Sequence, residues 1–401
     1  GVVLMINDKN DSKESGFCES TKNIIKSIKK ILGIIDETET ISFEISEFMK
    51  EVENSFVSFP KKYKKFYELT PSKTNFFVNR EKELEKLRNT YENWNKDRFI
   101  SCAIVAQKGS GISSTLNLFL QSTSKINTIK VELDEKVYTK EEYFRYFNSL
   151  FETDNITTNQ EFIDYLNNIE NSKIIVLENL HHMFLKKVTG FEAIELLFEL
   201  ISYTLKKVFW IGAFTPESWK YLDKTILISN YFTTKICMEP FDIEEIKKVI
   251  LKRNELANLK IVFTEEGKKQ KSQDFLEENF FKQLCKLSNG NISLVLMYWI
   301  RSIVKIEKNK IYVKQINKLD NTFIKKLSTE DLFVLQTLIL HDGLTLENYS
   351  NASDETKHLC RKKFMVMLEK GILIQPKQKF NINPIIYEHI HNYLSSKNYI
   401  H

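Results

Sequence analysis

The segment "AIVAQKGSGISSTLNLFL", residues 103–120, constrains the fold more than any other stretch of the chain. The run "FISCAIVA" is continuously apolar and suits a strand buried on both faces. A turn with two glycines follows, and "SSTLNLFLQST" then resumes helical spacing. Strand, glycine turn and helix in that order form a cradle in which backbone N–H groups close round phosphate oxygens at a helix N-terminus. Set against G-x-x-G-x-G-K-[ST], the segment from Ala106 keeps Gly109, Gly111 and Ser113. Ala106 replaces the first glycine, and Ile112 replaces the lysine that bridges the β- and γ-phosphates. Hydrogen bonds to charged groups contribute about 1.5–3 kcal/mol each. Losing that lysine therefore weakens triphosphate binding by about ten- to a hundredfold, with Lys108 inside the loop as a partial substitute.

Around this loop the pattern alternates. "REKELEKLRNTYENW" reads as a helix; "TIKVEL" (128–133), "KIIVLEN" (173–179), "KVFWIGAF" (207–214) and "TTKICMEP" (233–240) read as strands separated by helical stretches. That order predicts a doubly wound α/β domain on a parallel sheet. A length of 401 residues allows two to four units. The expected division is an N-terminal helical or flexible segment over 1–70, an α/β core over 71–240, a helical domain over 241–325 and a winged helix over 326–401. Within the first, "STKNIIKSIKKILGIID" spaces its apolar residues as an amphipathic helix, and residues 59–77 read as a linker. In the last, Ser328 is the expected N-cap and Gly343 the stop of a first helix, a second follows, and "ILIQPKQKFNINP" is two short strands around a turn.

About sixty residues past the glycine turn, "KIIVLEN" has the form of a Walker B strand, whose end offers an Asp for Mg²⁺ and a Glu to activate water. Glu178 and Asn179 stand there. A glutamate reaches magnesium with its charge displaced by one methylene, but an asparagine amide cannot take the water's proton.

Taken together, "FFVNREKELEKL", "AQKGSGISST", "KIIVLENLHHMF", "VFWIGAFTPESWKYLD" and "GNISLVLMYWI", followed by a winged helix, resemble the AAA+ and STAND classes of P-loop ATPases, including origin-recognition initiators. The resemblance covers residues 75–401. It implies an AAA+-like P-loop core, a helical lid and a winged helix, with ATP or ADP and Mg²⁺ as the family's ligands. It places Lys108, Gly109, Ser110, Gly111, Ile112, Ser113 and Ser114 in the phosphate loop, with Ser113 and Glu178 as the magnesium pair. Asn179 stands at the water-activating position, and Thr215 is the polar group nearest to sensor 1. Asn79 replaces the glycine of the "VGRE" motif, and Ile292 and Ser293 stand where initiators carry a proline and a sensor arginine. Each charge-handling position has drifted while the shape-keeping residues remain, which implies a non-hydrolysing regulatory or scaffold subunit. An active or slow ATP-dependent switch and an initiator-like DNA-binding module are the alternatives.

The remaining features are less specific. A net charge of +5 permits a polyanionic partner without requiring one. Lys357, Arg361 and Lys362 on the second winged-helix helix, with Lys377 and Lys379 in the wing, are the candidate DNA contacts, Leu359, Phe364 and Leu368 packing inward. Partner protomers are the other expected partners, and a membrane surface is not expected. Five scattered cysteines without metal spacing suit a reducing, cytoplasmic setting. His181 and His182 are adjacent, point different ways and have no evident third ligand, so they read as structural. Arg253 reads as an exposed helical arginine, and Trp210, Trp219 and Trp299 as core.

Overall fold

The structure, a computed structural model, describes residues 43–64, 66, 80–123, 126–265, 272–316 and 322–400. The amphipathic helix expected at 20–36 and Asn79 lie outside the described residues. Near the N-terminus stand a helix, α1 (Phe43–Val57), and a helical turn at Lys61–Lys64. The α/β core follows, with five parallel strands in the order β2–β3–β4–β1–β5. These are β1 (Cys102–Ala106), β2 (Asn127–Glu132), β3 (Lys173–Glu178), β4 (Val208–Phe214) and β5 (Thr234–Met238). β1, β3 and β4 are apolar at almost every position because both faces are covered. On one face α2 (Glu81–Trp94) and α3 (Ile112–Ser122) bury Leu84, Leu87, Leu116 and Phe119 against Ile104, Val176 and Ile211. On the other lie α4 (Lys140–Phe151), α5 (Asn159–Asn167), α6 (Glu192–Thr204) and α7 (Pro216–Ile226), packed on Val105, Ile175 and Trp210. Each such aliphatic side chain withdrawn from water contributes about 1.5–3 kcal/mol, so a charge at Ile175 or Ile211 would break the sandwich. The edge strand β2 is only half-buried and admits Lys130 in its middle.

This is a doubly wound α/β fold, with the glycine turn at the carboxyl end of the central β1, beside the ends of β3 and β4. Ligand sites in such sheets lie at that edge.

The region after Pro240 departs from expectation. Its helices α8 (Ile243–Leu256), α9 (Gln273–Ser288) and α10 (Ile292–Ser302) are joined by a three-stranded sheet of β6 (Lys260–Thr264), β7 (Ile303–Glu307) and β8 (Lys310–Lys314), in the order β6–β8–β7. "ISLVLMYWIRSIVKI" is therefore not one helix. It stops at Ser302, because "IVKIE" and "KIYVK" alternate with period two around Lys308 and Asn309, both at positive φ (46° and 61°) as a tight hairpin requires.

The C-terminal part runs α11 (Thr329–His341), β9 (Leu344–Thr345), α12 (Leu346–Ser353), α13 (Lys357–Glu369), β10 (Leu373–Ile374), β11 (Lys379–Ile382) and α14 (Pro384–Ser396), with an antiparallel sheet β10–β11–β9. That is the winged-helix arrangement. Ser328 caps α11 reciprocally with Asp331, and Asp342 and Gly343 end it at φ 50° and 89°.

One hydrophobic core runs through the lid and the winged helix, and it takes in α1 as well. Phe48 meets Tyr298 edge-on at 5.2 Å. Residues 59–64, read from sequence as linker, begin inside this core. Phe59 and Tyr63 are buried, and the Tyr63 hydroxyl donates to Asn254 Oδ1 (3.0 Å) and accepts from Trp299 Nε1 (3.2 Å). Arg253 is likewise not exposed; its guanidinium is buried and donates to the Phe66 carbonyl. Trp210, Trp219 and Trp299 are core. Among the described residues, no helix is long and apolar enough to cross a membrane.

Candidate functional site

The loop from Gln107 to Gly111 is held on two sides. Gly109 and Gly111 adopt φ 83° and 90°, which only glycine enters without strain. Between them Ser110 is buried and donates Oγ to the Gln107 carbonyl at 2.6 Å. From below, the buried Arg80 donates to the carbonyls of Ser110 (3.1 Å) and Glu239 (2.8 Å), and its guanidinium lies 4.0 Å from the Phe241 ring centroid. From above comes Asn291, the N-cap of α10. Its Oδ1 accepts from the Ser293 and Leu294 amides, and its Nδ2 donates to the Lys108 carbonyl at 3.0 Å. A Cβ on Gly109 would lie 2.7 Å from Asn291 Oδ1. Lys108 itself is solvent-facing, and its ammonium reaches Asp342 at the end of α11 (3.3 Å). Lid and winged helix therefore both touch the rim, and a cavity of about 130 Å³ remains between Gln107–Gly109, Thr215, Ser293 and Asp342. Ile112 packs at the edge of the α2/α3 core rather than extending into the cradle, and Ser114 is half-buried.

The expected magnesium pair does meet. Ser113 Oγ donates to Glu178 Oε2 at 2.6 Å. Glu178 Oε1, however, is 2.9 Å from the ammonium of Lys130, which also donates to Asn117 Oδ1 at 2.6 Å. A positive charge already stands beside the carboxylate and opposes a second one there, so these residues do not fit a magnesium ion. Asn179, at φ 56°, donates Nδ2 to Glu132 Oε1 (3.0 Å). Thr215 caps α7, accepting from the Ser218 amide and bonding its hydroxyl. Asn179 and Thr215, which the resemblance put at the water-activating and sensor positions, are thus both engaged in local contacts.

Beside the loop, at the seam with the winged helix, lies a buried group of titratable side chains. His182 donates Nδ1–H to the Leu133 carbonyl (2.6 Å) and accepts at Nε2 from Lys379 (3.0 Å). Lys136 Nζ donates to the carbonyls of His181 (3.0 Å) and Phe184 (3.1 Å) and lies 3.1 Å from His341 Nδ1. His341 Nε2 accepts from the Lys186 amide (3.3 Å). Burial holds Lys136 well below the usual ammonium range. Burial also holds His341 and His182 well below their ordinary value and His181 at about 3.

Asp342 closes on His181 and His182, their ligand atoms lying within 4.8 Å of one another, so a third candidate ligand exists that the sequence did not reveal. The cluster is nevertheless no metal centre. Both His182 nitrogens are in use, and Lys108 and Lys379 crowd the carboxylate, holding Asp342 below its usual range despite its burial.

The DNA candidates separate. Lys379, expected on an exposed wing, lies on the face of β11 opposite the buried Phe380 and Ile382, and its ammonium meets His182 at 3.0 Å instead of solvent. Lys357 pairs with Glu347 at 3.0 Å. Arg361, Lys362 and Lys377 are exposed. Phe364 and Leu368 pack inward as expected, but Leu359 does not; Cys360 takes the inward place, and Leu359, Met365 and Val366 stand exposed beside Arg361 and Lys362.

Sequence reasoning missed Arg80, Lys130, Lys136, Asn291 and Asp342. Three of them left a signal: Arg80 lies within "VNRE", Asn291 within "GNIS" ahead of a helix, and Lys130 is a lone charge within the strand pattern "TIKVEL".

No protein-family model matches the chain, and no curated protein matches it. Among solved structures it is similar to the Thermotoga maritima RuvB Holliday junction branch migration motor (14% identity, TM-score 0.36, covering 79% of this chain and 95% of that one). It is similar also to the Aeropyrum pernix ORC1 protein in complex with DNA (12%, 0.43, 80% and 94%) and to Cdc6p from Pyrobaculum aerophilum (12%, 0.39, 81% and 98%). The fold assignment rests on strand order and loop geometry.

Proposed function

We propose that this chain is a non-hydrolysing AAA+-type subunit that serves as a regulatory scaffold in a larger assembly. The observation that carries the reading is the bridging of the phosphate loop by the lid: Asn291 donates to the Lys108 carbonyl and its side chain fills the space above Gly109. An ATPase cycle needs that rim to open and its charged groups to follow the γ-phosphate. Here Ile112 offers no charge, Asn179 no base, and Thr215 a helix cap. Nucleotide, ATP or ADP, enters as a ligand held by loop backbone N–H groups without turnover. Partners are other protomers, and the mixed apolar and basic face of α13, with Leu359, Met365 and Val366 exposed, suits a protein surface better than a phosphate backbone.

Phosphate release from magnesium–ATP tests the reading. The expected rate equals that of Glu178→Gln; turnover clearly above that variant would install the switch reading instead. For the DNA alternative, duplex affinity that falls steeply with salt and disappears in Arg361→Ala with Lys362→Ala would displace the protein-contact reading.

A further inference from the structure

Lys130 is on the edge strand β2, opposite Val176 of β3, and Glu178 lies two residues further on the same face. Period-two alternation thus delivers the ammonium diagonally to the carboxylate. The contact is enclosed: the Glu178 side chain is 10% exposed and that of Lys130 25%. Asn117, one helical turn after Ser113 on α3, fixes the ammonium from the other side at 2.6 Å. Four side chains from three elements therefore form a closed set: Ser113 to Glu178, Glu178 to Lys130, Lys130 to Asn117. Mg²⁺ needs near-octahedral oxygens at about 2.0–2.1 Å. At Glu178 it would stand like charge against like beside the Lys130 ammonium, 2.9 Å from the carboxylate, unless that ammonium were displaced.

We infer that Lys130 takes the place of the divalent cation at this loop, so that the ligand of the site is a metal-free nucleoside phosphate and divalent ions are shut out. The nucleotide half of this inference rests on the reading given under Proposed function; the exclusion of the ion does not. One positive charge beside Glu178 meets the electrostatic need that a magnesium ion meets elsewhere, and being covalently part of the chain it does not come and go with nucleotide.

The test uses the full chain and Mn²⁺ alone, followed by loss of its free electron-paramagnetic signal. Wild type is expected to leave that signal unchanged, Lys130→Gln to bind the ion about tenfold or more tightly, and Lys130→Gln with Glu178→Gln to lose that gain. In a second arm ADP is titrated into wild type with Mg²⁺ or with a chelator, and the expected ratio of affinities is close to one. Wild type that binds Mn²⁺ as tightly as Lys130→Gln, or binds ADP only with Mg²⁺, overturns the inference while leaving the absence of turnover intact. ADP binding in neither condition ends the nucleotide part of the scaffold reading, and the Mn²⁺ arm then decides the exclusion alone. The wild-type measurements need no variant and hold whatever Lys130→Gln does to folding.

Discussion

Gly109 and Gly111 share a left-handed backbone but not a neighbourhood. A Cβ at Gly111 meets nothing within 4 Å, whereas one at Gly109 runs into Asn291. Gly111→Ala is expected to cost only the backbone strain, about 1–2 kcal/mol. Gly109→Ala adds overpacking of about 1–3 kcal/mol, and Asn291→Ala in the same chain should relieve that added part. Denaturant unfolding of the two singles and the double measures it; equal losses for both glycines would contradict the contact. Lys136 gives a second prediction at this scale. Its amine lies 3.1 Å from His341 Nδ1, and burial disfavours its charged form. Lys136→Met strands the carbonyls of His181 and Phe184, a loss of about 1–3 kcal/mol or more. Lys136→Arg should be worse, because a guanidinium cannot discharge. A thermal scan in which arginine outperforms methionine would contradict a burial cost for charge at this position. None of these contacts was legible in sequence, since their partners stand between 45 and 205 positions away.

At the scale of elements, the turn at Leu180–Met183 and the end of α11 carry the buried histidines. His181, His182 and His341 have folded-state values depressed by burial. A depressed group contributes stability that is present above its unfolded value, near 6.5, and is lost as pH falls toward the folded one. His391, raised first by the hydrogen bond it donates to Glu217 at 2.8 Å, acts in the opposite sense, contributing below that value and fading above it. His389 is likewise lowered by burial, so four depressed groups outweigh one raised group and Tm is expected to fall from pH 7 to pH 5, more steeply in His391→Ala. A Tm flat or rising over that interval would mean the histidines are hydrated. Element types were largely readable, because buried strands and capped helices declare themselves locally: Ser328, Gly343 and the run through β1 behaved as their spacing indicated. The lid sheet was missed although "IVKIE" and "KIYVK" alternate, because the apolar helix before them has no glycine or proline to mark its end.

For the whole molecule, the phosphate loop is the meeting point of three layers. Arg80 joins it to the exit of β5, Asn291 to the lid and Lys108 to the winged helix. The Lys108–Asp342 pair is exposed on the lysine side and contributes little, so the lid contact is the one that matters. Asn291→Ala, which loses both the cap of α10 and the bridge, should cost about 0.5–2 kcal/mol and increase amide exchange in residues 107–111. Unchanged exchange there would mean the loop is held without the lid. By itself the sequence determined the strand–turn–helix cradle, the order of its strands along the chain and the absence of a lysine at position 112, because these depend on residue type and on periods of two and 3.6. Only the tertiary structure decided that Lys130 neutralises Glu178, that Lys379 meets His182 and that Asp342 joins two histidines. Those facts depend on which distant segments share a low-dielectric space, where a charge must find a partner or give up its proton.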